Sequence, residues 1–153
     1  MNAPSAGQQG VHASGSAGEQ PTIKVLIYSD DSTTREKVVS ALGRRVAADL
    51  PPIRTYEFAT PAAVVSAVDG GGFDILILDG EATPAGGMGV CRQLKDEVYQ
   101  CPPVLVLTGR PQDGWLATWS RAEAWTPHPI DPVALADSVA ELLRARLAKH
   151  VAA

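Results

Sequence analysis

Asp79 closes the apolar run FDILILD and is followed at once by the Gly/Pro-rich stretch GEATPAGG. A carboxylate at the carboxyl end of a buried strand stands where open α/β sheets gather their reactive groups. Two more acids, Asp30 and Asp31, come just after the apolar run IKVLIY. Thr108 closes the run PPVLVLT, and His128 sits between two prolines in TPHP. Two or three carboxylates around one crevice form a hard oxygen site, which suits Mg²⁺ better than Zn²⁺ or Cu²⁺. Such a site exists only if the strands carrying these residues lie side by side.

The elements that would place them can be read along the chain. IKVLIY (23 to 28) is nearly all apolar or β-branched, the mark of a strand buried on both faces. A helical period follows in REKVVSALGRRVAADL, with Ser32 or Thr33 as N-cap and Glu36 placed as in a capping box. PPIRTYEF (51 to 58) reads as a weaker second strand. PAAVVSAVDGG (61 to 71) reads as a short helix with proline first and a glycine stop. FDILILD is the third strand, and GMGVCRQLKDEVY (87 to 99) is an amphipathic helix with Val90, Leu94 and Val98 on one face. PPVLVLTG (102 to 109) is the fourth strand, WLATWSRAEA a short helical stretch, and AWTPHPID holds a brief fifth strand. DPVALADSVAELLRARLAKH (131 to 150) is the last helix, with Pro132 at its start and basic residues at its end.

This alternation, (βα)5, predicts one doubly wound five-stranded parallel sheet, flavodoxin-like, with helices on both faces. In that architecture the ends of strands one, three and four meet at the switch point. Asp30, Asp31, Asp79 and Thr108 would therefore converge, with His128 across the crevice.

Composition bounds the rest. The 153 residues suggest a single domain, residues 22 to 150, after a flexible tail of Gly, Ala, Ser and Gln over residues 1 to 21, with residues 151 to 153 as a C-terminal end. His12 falls in that tail as a solvated residue. The net charge of −4, with basic residues spread out, gives no footprint for nucleic acid. No apolar run approaches the roughly 18 residues of a membrane span, and no secretory signal is evident. Cys91 and Cys101 form no CxxC and read as reduced, inert thiols of a cytoplasmic protein. Phosphate-cradle motifs and the common hydrolase motifs are missing, so no enzyme class gains support.

The acids after strand one, the Asp ending strand three, the Thr ending strand four and the xP turn after strand five resemble the receiver domain of two-component response regulators. The resemblance covers residues 22 to 147. It implies that Asp79 is the carboxylate that accepts a phosphoryl group from a histidine kinase or a small phosphodonor. It also implies that Asp30 and Asp79 hold Mg²⁺ with the backbone carbonyl of Glu81, and that Thr108 hydrogen-bonds a phosphoryl oxygen. Mg²⁺ and fixed donors would there neutralise and position the charge in transfer.

Several residues depart from the family pattern. The family's first acid falls on Ser29, which brings no negative charge and leaves only Asp31 to compensate. The expected Lys–Pro is His128–Pro129, and a histidine with a pKa near 6.5 is only roughly a quarter charged at pH 7. The switching Tyr or Phe is Trp125, Pro84 stands one residue late, and the short span from Thr108 to His128 implies a trimmed fourth helix. These changes point to a degenerate receiver that acts through protein contacts and is not an enzyme. Trp115, Trp119 and Trp125 fall within eleven residues on the helix 4–strand 5–helix 5 side and mark the partner surface. With no further domain expected after residue 150, output would pass through another protein. The chain also resembles small stand-alone receiver-like proteins of mycobacteria and related actinobacteria. That resemblance implies association with respiratory NADH dehydrogenase (complex I), and so a place at the membrane through a partner. The alternative is an active single-domain regulator phosphorylated at Asp79.

Overall fold

A computed structural model describes residues 21 to 152. The expected N-terminal tail, His12 included, lies outside the described residues apart from Pro21. Five parallel strands, β1 (Ile23–Tyr28), β2 (Ile53–Phe58), β3 (Ile75–Asp79), β4 (Val104–Thr108) and β5 (Ala124–Pro127), form one sheet in the order β2-β1-β3-β4-β5. The doubly wound expectation is met. β3 and β4 are buried at every position, which is why their sequences run apolar without alternation.

The helices are α1 (Ser32–Leu42), α2 (Pro61–Asp69), α3 (Gly87–Glu97), α4 (Gly114–Trp119) and α5 (Pro132–Ala152), with a 3₁₀ turn at Pro111–Asp113 before α4. One face of the sheet packs Ile75, Ile77, Leu105 and Leu107 against Leu135, Val139 and Leu143 of α5 and Val38 of α1. The other face packs Leu76, Leu78, Val104 and Val106 against Val64 and Val68 of α2 and Val90 and Leu94 of α3.

Two boundaries differ from the sequence reading. The N-cap of α1 is Asp31, whose carboxylate accepts from the Thr33 N–H, so Ser32 and Thr33 fall inside the helix. The same helix ends at Leu42 and not near Leu50. Gly43 adopts φ 63° and returns its N–H to the Val39 carbonyl, a conformation that stops a helix. Leu50 is still buried, but it reaches the core from a turn. The expected trimming near Trp115 is present as the six-residue α4.

Candidate functional site

The pairing of β1, β3 and β4 decides what surrounds Asp79. Tyr28 lies opposite Leu78, so the next residue, Ser29, arrives beside Asp79. Thr108 lies opposite Pro127, and the Thr108 carbonyl accepts the backbone N–H of His128 at 2.8 Å, which brings His128 in from the other side. Gly87, at the start of α3, lies against the Asp79 backbone. A Cβ there would fall 2.8 Å from the Asp79 carbonyl, so only glycine lets the helix approach this closely.

Asp79 is 3% exposed and its carboxylate has three protein donors. The Ser29 hydroxyl donates to Oδ2 at 2.7 Å. The Glu81 backbone N–H donates to Oδ1 at 2.9 Å, and His128 Nε2 lies 3.0 Å from the same oxygen. Burial pushes the Asp79 carboxyl upward, but His128, the Glu81 N–H and the Ser29 hydroxyl together hold it below its ordinary value. The same contact with Asp79 raises His128 above its ordinary value; burial opposes this, the Glu81 carboxylate adds to it, and Lys37 works against it. His128 therefore carries more charge at neutral pH than its sequence position suggested.

Asp30 and Asp31 are engaged elsewhere. Asp30 accepts from the Thr83 N–H at 3.2 Å and from the Thr83 hydroxyl at 2.9 Å, tying the loop after β1 to the loop after β3. Asp31 caps α1 and also accepts from the Thr34 hydroxyl at 3.1 Å. The Thr108 hydroxyl is fully buried and has no hydrogen-bond partner among the described residues. The Glu81 side chain lies over Gly109, where a Cβ would meet its carboxylate at 2.4 Å. Asp30, Asp31, Thr34, Asp79, Glu81 and His128 line an open cleft of about 280 Å³.

The donor set does not fit a divalent cation as arranged. Among the described residues no three His, Cys, Asp or Glu side chains are grouped to hold a metal ion. Nor is the Ser29–Asp79–His128 set a nucleophilic triad. Ser29 donates to one oxygen of Asp79 while His128 meets the other, so no imidazole stands ready to take the Ser29 proton.

Reading the sequence alone missed two contacts that shape this site. Ser29 is the hydroxyl donor to Asp79, and Thr83 is the holder of Asp30. The Tyr28 hydroxyl adds a third, donating to the Ala85 carbonyl at 2.6 Å from the end of β1. A buried tyrosine ending a strand next to a glycine-rich loop was the available signal, since a buried phenol needs a partner.

Away from the cleft, Trp115 is 68% exposed, Trp119 55% and Trp125 38%. The Arg92 guanidinium stacks 4.5 Å from the Trp119 ring and donates to the Trp119 carbonyl at 2.8 Å. Trp125 lies across Gly114, where a Cβ would fall 2.4 Å from its ring.

No family model matches the chain. An uncharacterized response regulatory protein of Mycobacterium tuberculosis, found in strains H37Rv and CDC 1551, is 58% identical over 123 residues. The match covers 80% of this chain and 92% of the relative. The chain belongs to the response-regulator receiver family. Solved receivers share the fold of this receiver at low identity. The CheY-like receiver domain protein of Methanospirillum hungatei aligns with TM-score 0.65 at 15% identity, covering 84% of this chain and 99% of its own. The Francisella response regulator 1452 receiver domain aligns with TM-score 0.68 at 15% identity, covering 80% and 98%. No helix among the described residues of this receiver is long and apolar enough to cross a membrane.

Proposed function

We propose that this receiver is a stand-alone, phosphorylation-independent interaction module with a degenerate phosphorylation site and no catalytic activity of its own. One observation carries this reading. Three protein donors hold the Asp79 carboxylate, and one of them is His128, the residue in the place of the family's lysine. An acceptor aspartate attacks phosphorus with an oxygen lone pair, and here protein donors take three of the carboxylate's roughly four lone-pair sites.

Function would then pass through the face carrying Trp115, Trp119 and Trp125, where large rigid rings stand exposed. The partner we propose is a larger assembly such as respiratory NADH dehydrogenase, which would hold a cytoplasmic receiver at the membrane without any span of its own. Intact-protein mass after incubation with Mg²⁺ and acetyl phosphate, beside an Asp79→Asn control, tests the degenerate site. Unchanged mass in both is expected; a phosphoryl adduct in the wild type alone overturns the reading.

A second reading has one observation in its favour. The buried Thr108 hydroxyl lacks a partner among the described residues, as it would if a phosphoryl oxygen were to supply one. Under that reading a histidine kinase phosphorylates Asp79, Mg²⁺ assists, and the adduct appears.

A further inference from the structure

We infer that Ser29 and His128 together take the place of a divalent cation at Asp79, so that the acid pocket is held by protein donors alone and is indifferent to Mg²⁺. The inference deepens the reading of the site as degenerate and rests on it.

A divalent magnesium ion needs near-octahedral oxygen ligands at about 2.0–2.1 Å, supplied by at least one or two carboxylates free to turn toward it. Three of the four acids around this cleft, Asp79, Asp30 and Asp31, are turned toward protein donors. Asp79 Oδ2 receives the Ser29 hydroxyl, and Oδ1 receives both the Glu81 N–H and His128. A cation approaching Oδ1 meets the imidazole first. Asp30 is clamped across 53 residues of chain to both donors of Thr83. Asp31 caps α1 through one oxygen and holds the Thr34 hydroxyl with the other.

The placement of His128 supports the same conclusion. Its ring, anchored through its own backbone bond to Thr108, stands against Asp79 Oδ1 in the cleft that also holds Asp30, Asp31 and Glu81. The Arg35 guanidinium, bonded to the Ser29 carbonyl at 2.7 Å, holds that residue in place from the α1 side. Ser29 is thus a positioning residue for Asp79, filling with a neutral donor the position where a second carboxylate would have supplied a ligand.

Calorimetric titration of the full chain with Mg²⁺ alone, and with Mn²⁺ alone, tests this. The variants are Ser29→Asp, which adds a carboxylate beside Asp79, and His128→Ala, which removes the imidazole from Asp79 Oδ1 at a half-buried loop position. The wild type should show no saturable binding at millimolar metal and no metal-dependent change in thermal midpoint. Each folded variant should gain roughly tenfold or more in metal affinity, the usual size of an outer-shell effect. Saturable binding by the wild type that Asp79→Asn abolishes overturns the inference. So does a His128→Ala protein that folds and remains silent, which decides the matter even if Ser29→Asp fails to fold. Metal binding without a phosphoryl adduct sinks this inference and leaves the proposed function standing. A phosphoryl adduct sinks the proposed function itself.

Discussion

His128 and Asp79, 3.0 Å apart, each favour the charged form of the other. His128 has a raised folded-state pKa, so its contribution to stability is complete below its unfolded value, near 6.5, and is lost as pH rises through the raised value. Asp79 has a lowered folded-state pKa, so its contribution is present above its unfolded value, near 3.8, and is lost as pH falls through the lowered value. Thermal stability should therefore be greatest from mildly acidic to near-neutral pH and should decline on the alkaline side. Glu81 and Lys37 are the other charged side chains acting on His128. In His128→Gln the alkaline decline should flatten, as read by melting curves from pH 5.5 to pH 9 in one mixed buffer. An unchanged slope would show that the pair does not form. The residue types at this site were legible in the sequence, because strand ends in a doubly wound sheet must converge. Which hydroxyl serves which carboxylate was not, since Ser29 and Thr83 choose their partners through rotamers and loop paths that no spacing encodes.

The elements show the same division. The strands were legible because β3 and β4 are buried on both faces and must run apolar. The end of α1 was not, because Val46, Ala47 and Leu50 continue the apolar pattern after the chain has left the helix at Gly43. Its start was misread by one residue because Asp31, Ser32 and Thr33 are all good caps, and only the backbone at Asp31 (φ −99°, ψ 112°) is extended as a cap requires. Asp31→Ala should then cost about 1 kcal/mol in chemical denaturation with an unchanged m-value. Ser32→Ala should cost far less, and equal losses would place the cap elsewhere. At α4 the close contact of Gly114 with the Trp125 ring makes a second prediction. Gly114→Ala should lose about 1–3 kcal/mol through overpacking, despite alanine's better helix propensity. A stabilised variant would mean that Trp125 swings away freely.

For the molecule as a whole, the exposed indoles decide between a folded relic and a working interface. Trp115 and Trp119 project from α4 with more than half of each residue in solvent, so monomer packing explains neither. The Arg92 stack on Trp119 holds that ring in a fixed pose before any partner arrives, which lowers the ordering cost of binding. Replacing both with serine removes one exposed cation–π contact and the buried third to half of each indole, so stability should fall by about 2–4 kcal/mol while the core stays intact. If the face is an interface, the same change removes two anchor residues, each worth about 2 kcal/mol or more, and binding falls well beyond thirtyfold. The measurement is recovery of respiratory NADH dehydrogenase subunits with tagged wild type, with Trp115→Ser/Trp119→Ser and with Asp79→Asn. Retention by Asp79→Asn with loss by the double variant assigns function to the tryptophan face and makes phosphoryl chemistry dispensable. Loss by Asp79→Asn with retention by the double variant reverses that assignment and returns the function to the acid pocket.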